Sequence, residues 1–439
     1  MRQNDKNRLE RKTQNKYWFL RFGTGFASLR KDKWKIIIII AYLIAVFTLR
    51  YYLKHFMSLP MPNDDFITPN LWFAKLIFPA CAVCGTFLLV VAFGTPLGMG
   101  SVSDGLMRIG LCNHAGETPQ LIRSMRDKDN PKITIMEFEA NGTPRKEWED
   151  KQGKIEAALN LHIVKVTEGK DKRRILLYTA SAKTALPKQI HWNDKYLSKD
   201  NFVLTLGESL TGRETVNLAY IPHILLGGST GSGKSVLLKS LIMQCVKKGA
   251  VVCVADFKGG VDFPEVWHKE CRMVFENTDL LELLTSLADE LERRKAVFRD
   301  AGCANIDEQN KTSGDSLSRI IFACDEVAEV LDKNGLSKED KELVVKIEGK
   351  LSVIARQGRA FGIHLILATQ RPDANILTGQ IRNNLDCRIC GRADNVLSQI
   401  ILDNTNAADQ IPKDAQGRFI RHDGTVFQGY LFDEITAFD

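Results

Sequence analysis

The segment at residues 228–235, GSTGSGKS, places glycines, a lysine and a hydroxyl residue at the spacing GxxxxGK[ST]. Glycines in such a loop let backbone N–H groups face phosphate oxygens, and the helix N-terminus that follows adds partial positive charge. Lys234 is placed to reach the β- and γ-phosphates of ATP, and the Ser235 hydroxyl to ligate Mg²⁺. The predicted nucleotide-binding residues are Gly228, Ser229, Thr230, Gly231, Ser232, Gly233, Lys234, Ser235 and Val236.

The flanking sequence supplies the context that this motif requires. HILLG precedes the loop and has the apolar, strand-like character of a buried β-strand. SVLLKSLIMQCV follows it and has the pattern of a helix. Since a chance glycine-rich loop lacks this strand–loop–helix arrangement, the motif predicts a phosphate-binding P-loop.

A second acidic motif follows about ninety residues later. The apolar run Ile320–Cys324 ends in Asp325 and Glu326, so both carboxylates should emerge at the carboxyl edge of a sheet, where ligands bind in such folds. We expect Asp325 to hold the Mg²⁺ shell and Glu326 to orient and deprotonate the attacking water. The alternative, that the pair only caps the next helix, is weaker after a complete P-loop.

A third apolar strand, His364–Thr369, ends at Gln370. Gln370 is predicted to sense the γ-phosphate and to transmit its loss to neighbouring elements. The alternative is a strand-end amide bonded to local backbone.

The elements around these residues alternate between apolar strand-like runs and helical stretches from residue 201 to 439. This pattern indicates an α/β domain with a mostly parallel sheet covered on both faces. Residues 98–200 are predicted to hold a linker, to about residue 130, and a small α+β domain with the order strand, helix, strand, strand.

The N-terminal region predicts a membrane anchor. Residues 1–35 carry eleven Lys or Arg and three acids, so the basic arm 1–33 is expected in the cytoplasm. Two transmembrane helices are predicted in residues 34–97, at 34–53 and 76–97, with a short outer loop. For the first run, a buried core helix or a signal sequence is the alternative. Both termini are then cytoplasmic, in a multi-pass protein of the cell membrane.

The composition and the cysteine usage limit the classes of protein to which the chain can belong. The 439 residues are 44% hydrophobic and 26% charged, with a formal net charge of +7 that suits a nucleic-acid partner or an anionic membrane face. The ten cysteines show no repeating framework, which indicates reduced thiols and excludes a secreted disulfide scaffold. Cys387 and Cys390 form a lone CxxC, which we interpret as core-strand thiols; zinc or redox work is the alternative.

Longer stretches resemble the motor core of the FtsK/SpoIIIE family over roughly residues 200–435. The most specific is ARQGRAFGIHLILATQRP, and the small domain before the motor more faintly resembles the family's spacer domain. The segments that carry the resemblance are 228–236 (GSTGSGKSV), 291–310 (LERRKAVFRDAGCANIDEQN), 324–331 (CDEVAEVL), 355–372, 378–384 (TGQIRNN) and 398–403 (SQIILD).

The resemblance implies a RecA-like fold, a homo-hexameric ring and double-stranded DNA bound without sequence preference in its channel. Such rings place ATP between subunits, so that an arginine of the neighbour completes the site. The sequence does not choose among the candidates for this arginine in trans, which are Arg359, Arg371, Arg388 and Arg392. For each of them individually, a fold-stabilising ion pair or an exposed surface charge is the favoured alternative.

The sequence departs from the chromosome-partitioning members in having two predicted spans, no long Pro/Gln-rich linker and no C-terminal winged-helix segment after the motor. It is similar in build to coupling ATPases of Gram-positive conjugative plasmids and integrative elements, which engage a relaxase–DNA complex and a membrane channel. We therefore predict a DNA translocase for conjugation. The alternatives are a cell-division or sporulation-type chromosome pump, a type VII-like protein secretion ATPase, and a membrane scaffold with little turnover.

Two lysine-bearing segments are candidates for further contacts. Lys333–Lys350 is lysine-rich but also acidic, and is interpreted as a solvated helix, with a DNA-channel loop as the alternative. The Lys258-Gly259-Gly260 turn follows an apolar strand and is expected near the nucleotide or the pore.

Overall fold

A computed structural model describes residues 3–56, 68–96, 98–128, 130–313, 316–370, 377–435 and 438. The chain divides into two compact units, Met1–Lys183 and Thr184–Asp439. The second unit therefore begins before the predicted boundary at residue 201. Of the predicted site residues, Arg371 lies outside the described residues.

Three long helices open the first unit: α1 (Gln3–Lys31), α2 (Lys33–Phe56) and α3 (Thr68–Phe93). Within α2, Lys33–Leu53 has a mean hydropathy of 2.2 and is unburied, and it alone among the described segments is long and apolar enough to cross a membrane. The apolar part described in α3, Ile77–Phe93, is shorter than that. One of the two predicted spans is thus present as a candidate, and α1 is a helix where the sequence suggested only a basic arm.

The three helices pack through small residues and hydroxyl groups. A side chain on Gly25 of α1 would collide with the carbonyl of Val90 on α3, so the two backbones cross in direct contact. Thr24 Oγ1 donates to the carbonyl of Gly94 at 3.1 Å. On the other face, Tyr42 of α2 donates its hydroxyl proton to the carbonyl of Cys81 at 2.7 Å.

The rest of the first unit is a small α+β fold. It consists of α4 (Met99–Arg108), β1 (Gln120–Arg126), β2 (Ile133–Glu139), α5 (Arg145–Asp150), α6 (Gln152–Leu159), β3 (Leu161–Glu168) and β4 (Arg174–Ser181). The four strands form an antiparallel sheet in the order β1-β2-β4-β3.

Residues 98–130, predicted as linker, contain α4 and β1 and belong to this sheet. The strand β1 gave no clear signal because only Leu121 of its seven residues is buried, so alternation of apolar and polar residues is missing. The core of this fold is centred on Phe138 and Trp148.

The second unit begins with β5 (Ile190–His191), β6 (Val203–Ser209), β7 (Gly212–Asn217), β8 (Ile224–Gly227), α7 (Lys234–Lys247), β9 (Val251–Ala255), α8 (Glu265–Glu270) and β10 (Arg272–Val274). It continues with α9 (Asn277–Ala301), α10 (Ile306–Thr312), β11 (Ile320–Cys324), α11 (Val327–Leu331), α12 (Lys338–Phe361) and β12 (Ile363–Thr369). It ends with α13 (Gly379–Arg382), β13 (Cys387–Cys390), α14 (Asn395–Leu402), α15 (Asn406–Gln410), β14 (Arg418–Arg421) and β15 (Val426–Leu431).

These strands form one mixed sheet in the order β10-β9-β11-β12-β8-β13-β14-β15-β6-β7, with β5 beside β15. The part from β10 to β13 is parallel, as predicted. From β13 to β7 the pairing is antiparallel. The expectation of a mostly parallel sheet therefore has to be corrected to a mixed sheet.

Apolar side chains cover both faces of the parallel part, as its unbroken hydrophobic strands require. One layer joins the sheet to α9 and α12, and the other joins it to α7 and Trp267. The lysine-rich stretch 333–350 ends near the middle of α12. Lys333, which precedes this helix, pairs with Glu348 within it at 2.6 Å. Strands β8, β11 and β12 are adjacent and parallel, so their carboxyl ends bring residues 228, 325 and 370 to the same edge.

Candidate active site at the carboxyl edge of the sheet

The P-loop runs from the end of β8 at Gly227 to the start of α7 at Lys234. Gly233, the residue before the helix, has φ of +95°, a conformation that glycine adopts without strain. A Cβ at this position would also stand 3.0 Å from the backbone of Gly417. The local sequence therefore folds this way because only glycine meets both the conformational and the spatial demand.

Lys234 and Ser235 lie against the acidic end of β11. The Lys234 ammonium donates to Asp325 Oδ1 at 2.9 Å and to the Asp325 carbonyl at 2.6 Å. The Ser235 hydroxyl is 3.0 Å from Oδ1 and 3.1 Å from Oδ2 of the same carboxylate. The structure thus brings together the two motifs that the sequence places about ninety residues apart.

Asp325 is held as a carboxylate by its neighbours. Burial by itself raises the pKa of this group, since only 2% of the residue is exposed. The charge of Lys234 and its hydrogen bond, together with Lys258 and Ser235, outweigh burial and hold the pKa below its usual value. An ionised oxygen ligand beside a hydroxyl is the donor chemistry that Mg²⁺ prefers.

A second lysine enters the site from the turn after β9. Lys258 Nζ lies 2.7 Å from Asp262 Oδ2 and 3.3 Å from Asp325 Oδ2. Burial lowers the pKa of Lys258, but the hydrogen bonds and charges of these two carboxylates raise it overall. The sequence indicated this turn as near the nucleotide or the pore; the structure places its lysine against the same carboxylate as Lys234.

Glu326 is bonded to the end of the neighbouring strand β12. Its carboxylate accepts the Thr369 hydroxyl at 2.8 Å and the Gln370 backbone N–H at 2.9 Å. Burial raises its pKa above the ordinary value, and the charge of Lys234 and the two hydrogen bonds offset only part of this rise. A buried carboxylate with a raised pKa is suited to take up a proton during a reaction.

Gln370 connects this carboxylate to the P-loop. Its backbone N–H binds Glu326, and its side-chain Oε1 accepts the Thr230 hydroxyl proton at 2.9 Å. The side chain is therefore not bonded only to local backbone, which was the alternative interpretation from the sequence. Position 370 links the loop at 228–235 directly to the acidic pair at 325–326.

The described arginine candidates have different surroundings. Arg388 forms an ion pair with Asp403 and donates to the carbonyls of Leu385 and Arg382. Arg359 is exposed and donates from Nε to the carbonyl of Ala219 at 3.2 Å. Arg392 instead binds the P-loop of its own chain.

The two cysteines of the CxxC motif lie in the core of the sheet. Cys387 and Cys390 are buried in β13, and burial raises the pKa of each thiol to about 12. Within the residues that the structure describes, no three His, Cys, Asp or Glu side chains cluster as a metal site. The burial of both thiols in a strand agrees with the interpretation as core-strand thiols.

The donor set at the carboxyl edge fits ATP and Mg²⁺. Three cationic or hydroxyl groups, from Lys234, Ser235 and Lys258, surround the Asp325 carboxylate. Gly233 at the end of the loop has a positive φ and leaves no room for a Cβ beside Gly417, a backbone arrangement typical of loops whose N–H groups bind phosphate oxygens.

Comparison with known proteins agrees with this geometry. The family model described as "FtsK/SpoIIIE family" matches residues 187–374, a range that holds the P-loop, the acidic pair and Gln370. The chain belongs to the FtsK/SpoIIIE family. The α/β P-loop ATPase fold predicted from the sequence is thereby confirmed.

Curated relatives match the motor region. The DNA translocase FtsK of Helicobacter pylori is 31% identical over 225 residues, which is 48% of this chain and 25% of the relative. The DNA translocase SftA of Bacillus subtilis is 28% identical over 260 residues, 55% of this chain and 26% of the relative. The chain thus spans about a quarter of the length of these FtsK/SpoIIIE relatives.

A solved structure matches over a larger share of the chain. The pCW3 conjugation coupling protein TcpA, in its monomer form with ATPgS, is 35% identical, with a TM-score of 0.58. The match covers 78% of this chain and 97% of that structure.

Proposed function

We propose that this FtsK/SpoIIIE-family chain is a membrane-anchored, ATP-driven DNA translocase that acts as a coupling protein in conjugative DNA transfer. The observation that carries the proposal is the similarity to TcpA. It covers 78% of the 439 residues, about 342, whereas the unit Thr184–Asp439 has 256. The likeness therefore reaches beyond the motor into the unit that precedes it.

ATP is the proposed substrate. Lys234 and the backbone of residues 228–235 bind its phosphates, and Ser235 and Asp325 hold Mg²⁺. The metal ion supplies charge neutralisation at the phosphate oxygens. Glu326 orients the attacking water and accepts its proton, while Gln370 carries the state of the site to the P-loop through Thr230.

The proposed assembly is a homo-hexameric ring around DNA. In such a ring an arginine of the adjacent subunit approaches the phosphates. Among the described candidates, Arg359 is the exposed one with a single bond to backbone, so we assign it the trans role ahead of Arg388. DNA binding by lysines repeated around the ring is expected to be non-specific and salt-sensitive.

The proposed location is the cell membrane. Residues 34–53, within the apolar segment Lys33–Leu53, are the proposed first span and residues 76–97 the proposed second, and both termini then face the cytoplasm, where ATP is available. A relaxase bound to DNA and a membrane channel are the proposed partners. A reporter fused after Asp439 should read as cytoplasmic, and an external signal there would contradict the two-span topology.

The function is tested by ATP hydrolysis of the detergent-purified full chain with double-stranded DNA, single-stranded DNA or no nucleic acid. We expect stimulation by DNA in the parent. Lys234→Ala and Glu326→Gln should each lose turnover, the first together with ATP binding and the second with ATP binding retained. Turnover that is indifferent to DNA would refute a DNA translocase.

A chromosome pump is the second candidate, because the curated relatives of the motor are named DNA translocase FtsK and SftA. The two functions separate in cells. Deleting the gene from a conjugative element should abolish transfer while division and chromosome segregation continue; the reverse phenotype would favour the pump.

A further inference from the structure

Arg392 and the P-loop of the same chain are bonded at several points. The Arg392 carbonyl accepts the backbone N–H and the hydroxyl of Ser229, each at 2.8 Å. The Arg392 guanidinium donates through Nη2 to the carbonyl of Thr230 at 2.6 Å and approaches Ser229 Oγ from Nε at 3.4 Å. Both the backbone and the side chain of residue 392 are thus engaged with residues 229 and 230.

The same guanidinium reaches a second segment, which itself contacts the loop. Arg392 Nη1 donates to the carbonyl of Lys413 at 2.6 Å. Four residues further on, the Gly417 N–H donates to the carbonyl of Ser232 at 2.9 Å. Arg392 therefore ties the first half of the P-loop to a segment, 413–417, that holds its second half.

These bonds act on the loop's carbonyl groups. The carbonyls of Thr230 and Ser232 are taken up by donors outside the loop. A phosphate-binding loop works through N–H groups that face the anion, and a carbonyl turned toward the phosphates would repel them. Bonding the carbonyls from outside therefore favours the loop conformation that binds phosphate.

We propose that Arg392 is a positioning residue that fixes the P-loop of its own subunit, and not an arginine supplied to a neighbour's site. A guanidinium presents several donors in a fixed planar arrangement, so one side chain can serve Thr230 and Lys413 at once. A lysine has a single ammonium on a flexible chain and cannot reproduce both contacts with the same geometry.

This inference deepens the proposed ATPase function and rests on it for its kinetic readout. In the full-length protein, Arg392→Ala should raise the Kd for ATP about 10-fold or more, since two hydrogen bonds that set the loop are lost. Arg392→Lys should be intermediate.

Arg388→Ala is the matched control. It removes a guanidinium four residues earlier that bonds Asp403, Leu385 and Arg382 and no P-loop residue. We expect Arg392→Ala and Arg388→Ala to lower Tm by similar amounts, and Arg388→Ala to leave the Kd for ATP as in the parent. An Arg392→Ala variant that loses only Tm and keeps the parent's ATP affinity would overturn the proposal.

Mixing two impaired variants, at an ATP concentration below the Kd of Arg392→Ala, distinguishes action within a subunit from action on a neighbour. If Arg392 served a neighbour, rings mixed from Arg392→Ala and Lys234→Ala subunits would contain interfaces with both groups intact and would recover turnover. We expect no recovery above the sum of the separate variants, because every site then has either a loosened P-loop or no Lys234. Recovery would overturn the proposal.

Amide hydrogen exchange supplies a readout that does not depend on ATP. In nucleotide-free protein, Arg392→Ala should speed exchange in residues 229–233, while Arg388→Ala should leave these amides as in the parent. Faster exchange together with a parent that fails to bind ATP would sink the proposed function and leave the loop-fixing role standing. Unchanged exchange would overturn that role directly.

Discussion

The ammonium of Lys234 lies 2.9 Å from Oδ1 of Asp325, with 3% and 2% of the two side chains exposed. One residue belongs to the start of α7 and the other follows β11. Their contact joins the phosphate-binding loop to the neighbouring part of the sheet. It also makes each residue the main electrostatic partner of the other, which has consequences for stability as well as for nucleotide binding.

Replacing Lys234 should destabilise the protein in addition to removing ATP binding. Lys234→Ala leaves the buried Asp325 carboxylate without its nearest cation, and losing one member of a buried pair costs about 3 kcal/mol. The residual bonds of Asp325 to Ser235 and Lys258 keep the loss from being larger. Denaturant-induced unfolding measures this loss of unfolding free energy. The double variant Lys234→Ala/Asp325→Asn should regain part of the loss, and a double variant that is simply additive would contradict the coupling.

The pH dependence of turnover should report on Glu326. Its pKa is raised by burial, and it accepts a proton only when ionised, so kcat should rise with pH through a midpoint above the ordinary pKa of a glutamate, near 4.3. Thr369→Val removes one hydrogen bond to this carboxylate and should move the midpoint higher still. A midpoint that stays in place in Thr369→Val would show that another group controls the profile.

The bond between Thr230 and Gln370 should couple their effects on turnover. Thr230→Val and Gln370→Ala each remove the 2.9 Å hydrogen bond, so the second change should add little once the first is made. The expected coupling is about 1 kcal/mol in the activation free energy, measured from kcat in a double-mutant cycle. Thr230→Ser keeps the hydroxyl and is the control. Fully additive losses would mean that the two side chains act independently.

The ion pairs of Glu290 should stabilise the second unit against acid. The hydrogen bond from Arg293 lowers its pKa to about 2; burial opposes this, and Arg294 reinforces it. Because the folded-state pKa is lower than the unfolded one, the stabilisation is complete above the unfolded value, near 4.3, and is lost as pH falls toward 2. Glu290→Gln should therefore lower stability at pH 7 but much less at pH 3, as measured by thermal unfolding.

Glu292→Gln is the neighbouring control for that experiment. Glu292 is 66% exposed and, among the residues that the structure describes, pairs only with Lys295, so its removal should change stability little at either pH. A loss equal to that of Glu290→Gln would indicate a general effect of charge on α9 and not the buried network, in which Arg294 also bonds Phe361 and Ser318.

The sequence predicted those parts of the site whose reactive residues stand directly beside a recognisable strand or helix. The glycine pattern before Lys234 needs a strand on one side and a helix on the other, and both are visible as apolar runs. The same holds for Asp325 and Glu326 at the end of a buried strand. For parallel strands, this alone places the residues at one edge of the sheet.

The different roles of the candidate arginines could not be predicted from local sequence patterns. Arg388 and Arg392 are four residues apart in the sequence, yet one pairs with Asp403 and the other binds the P-loop. Asp403 lies 15 residues from Arg388 and Thr230 lies 162 residues from Arg392, so no local pattern distinguishes the two arginines. The contact of Lys258 with Asp325 across 67 residues escaped for the same reason.

The antiparallel half of the sheet was missed for a different reason. Its strands β14 and β15 are short, with four and six residues, and each mixes buried and half-buried positions, which leaves periodicity weak. In the first unit, α1 has a polar average composition and is held by close backbone contacts at Gly25, which sequence patterns do not report.

The segment recognised by the family model ends at residue 374, but the sheet does not. Strand β8 pairs on one side with β13, and the hairpin of β6 and β7 joins the other described strands of the sheet through β15. A fragment cut at that limit would carry an open, unprotected edge beside the P-loop strand. Its hairpin would lose its partner strand in the sheet and keep contacts with α7, such as the bonds between Thr205 and Gln244. Such an edge invites aggregation, so attempts to isolate this domain for expression should retain the chain through residue 431.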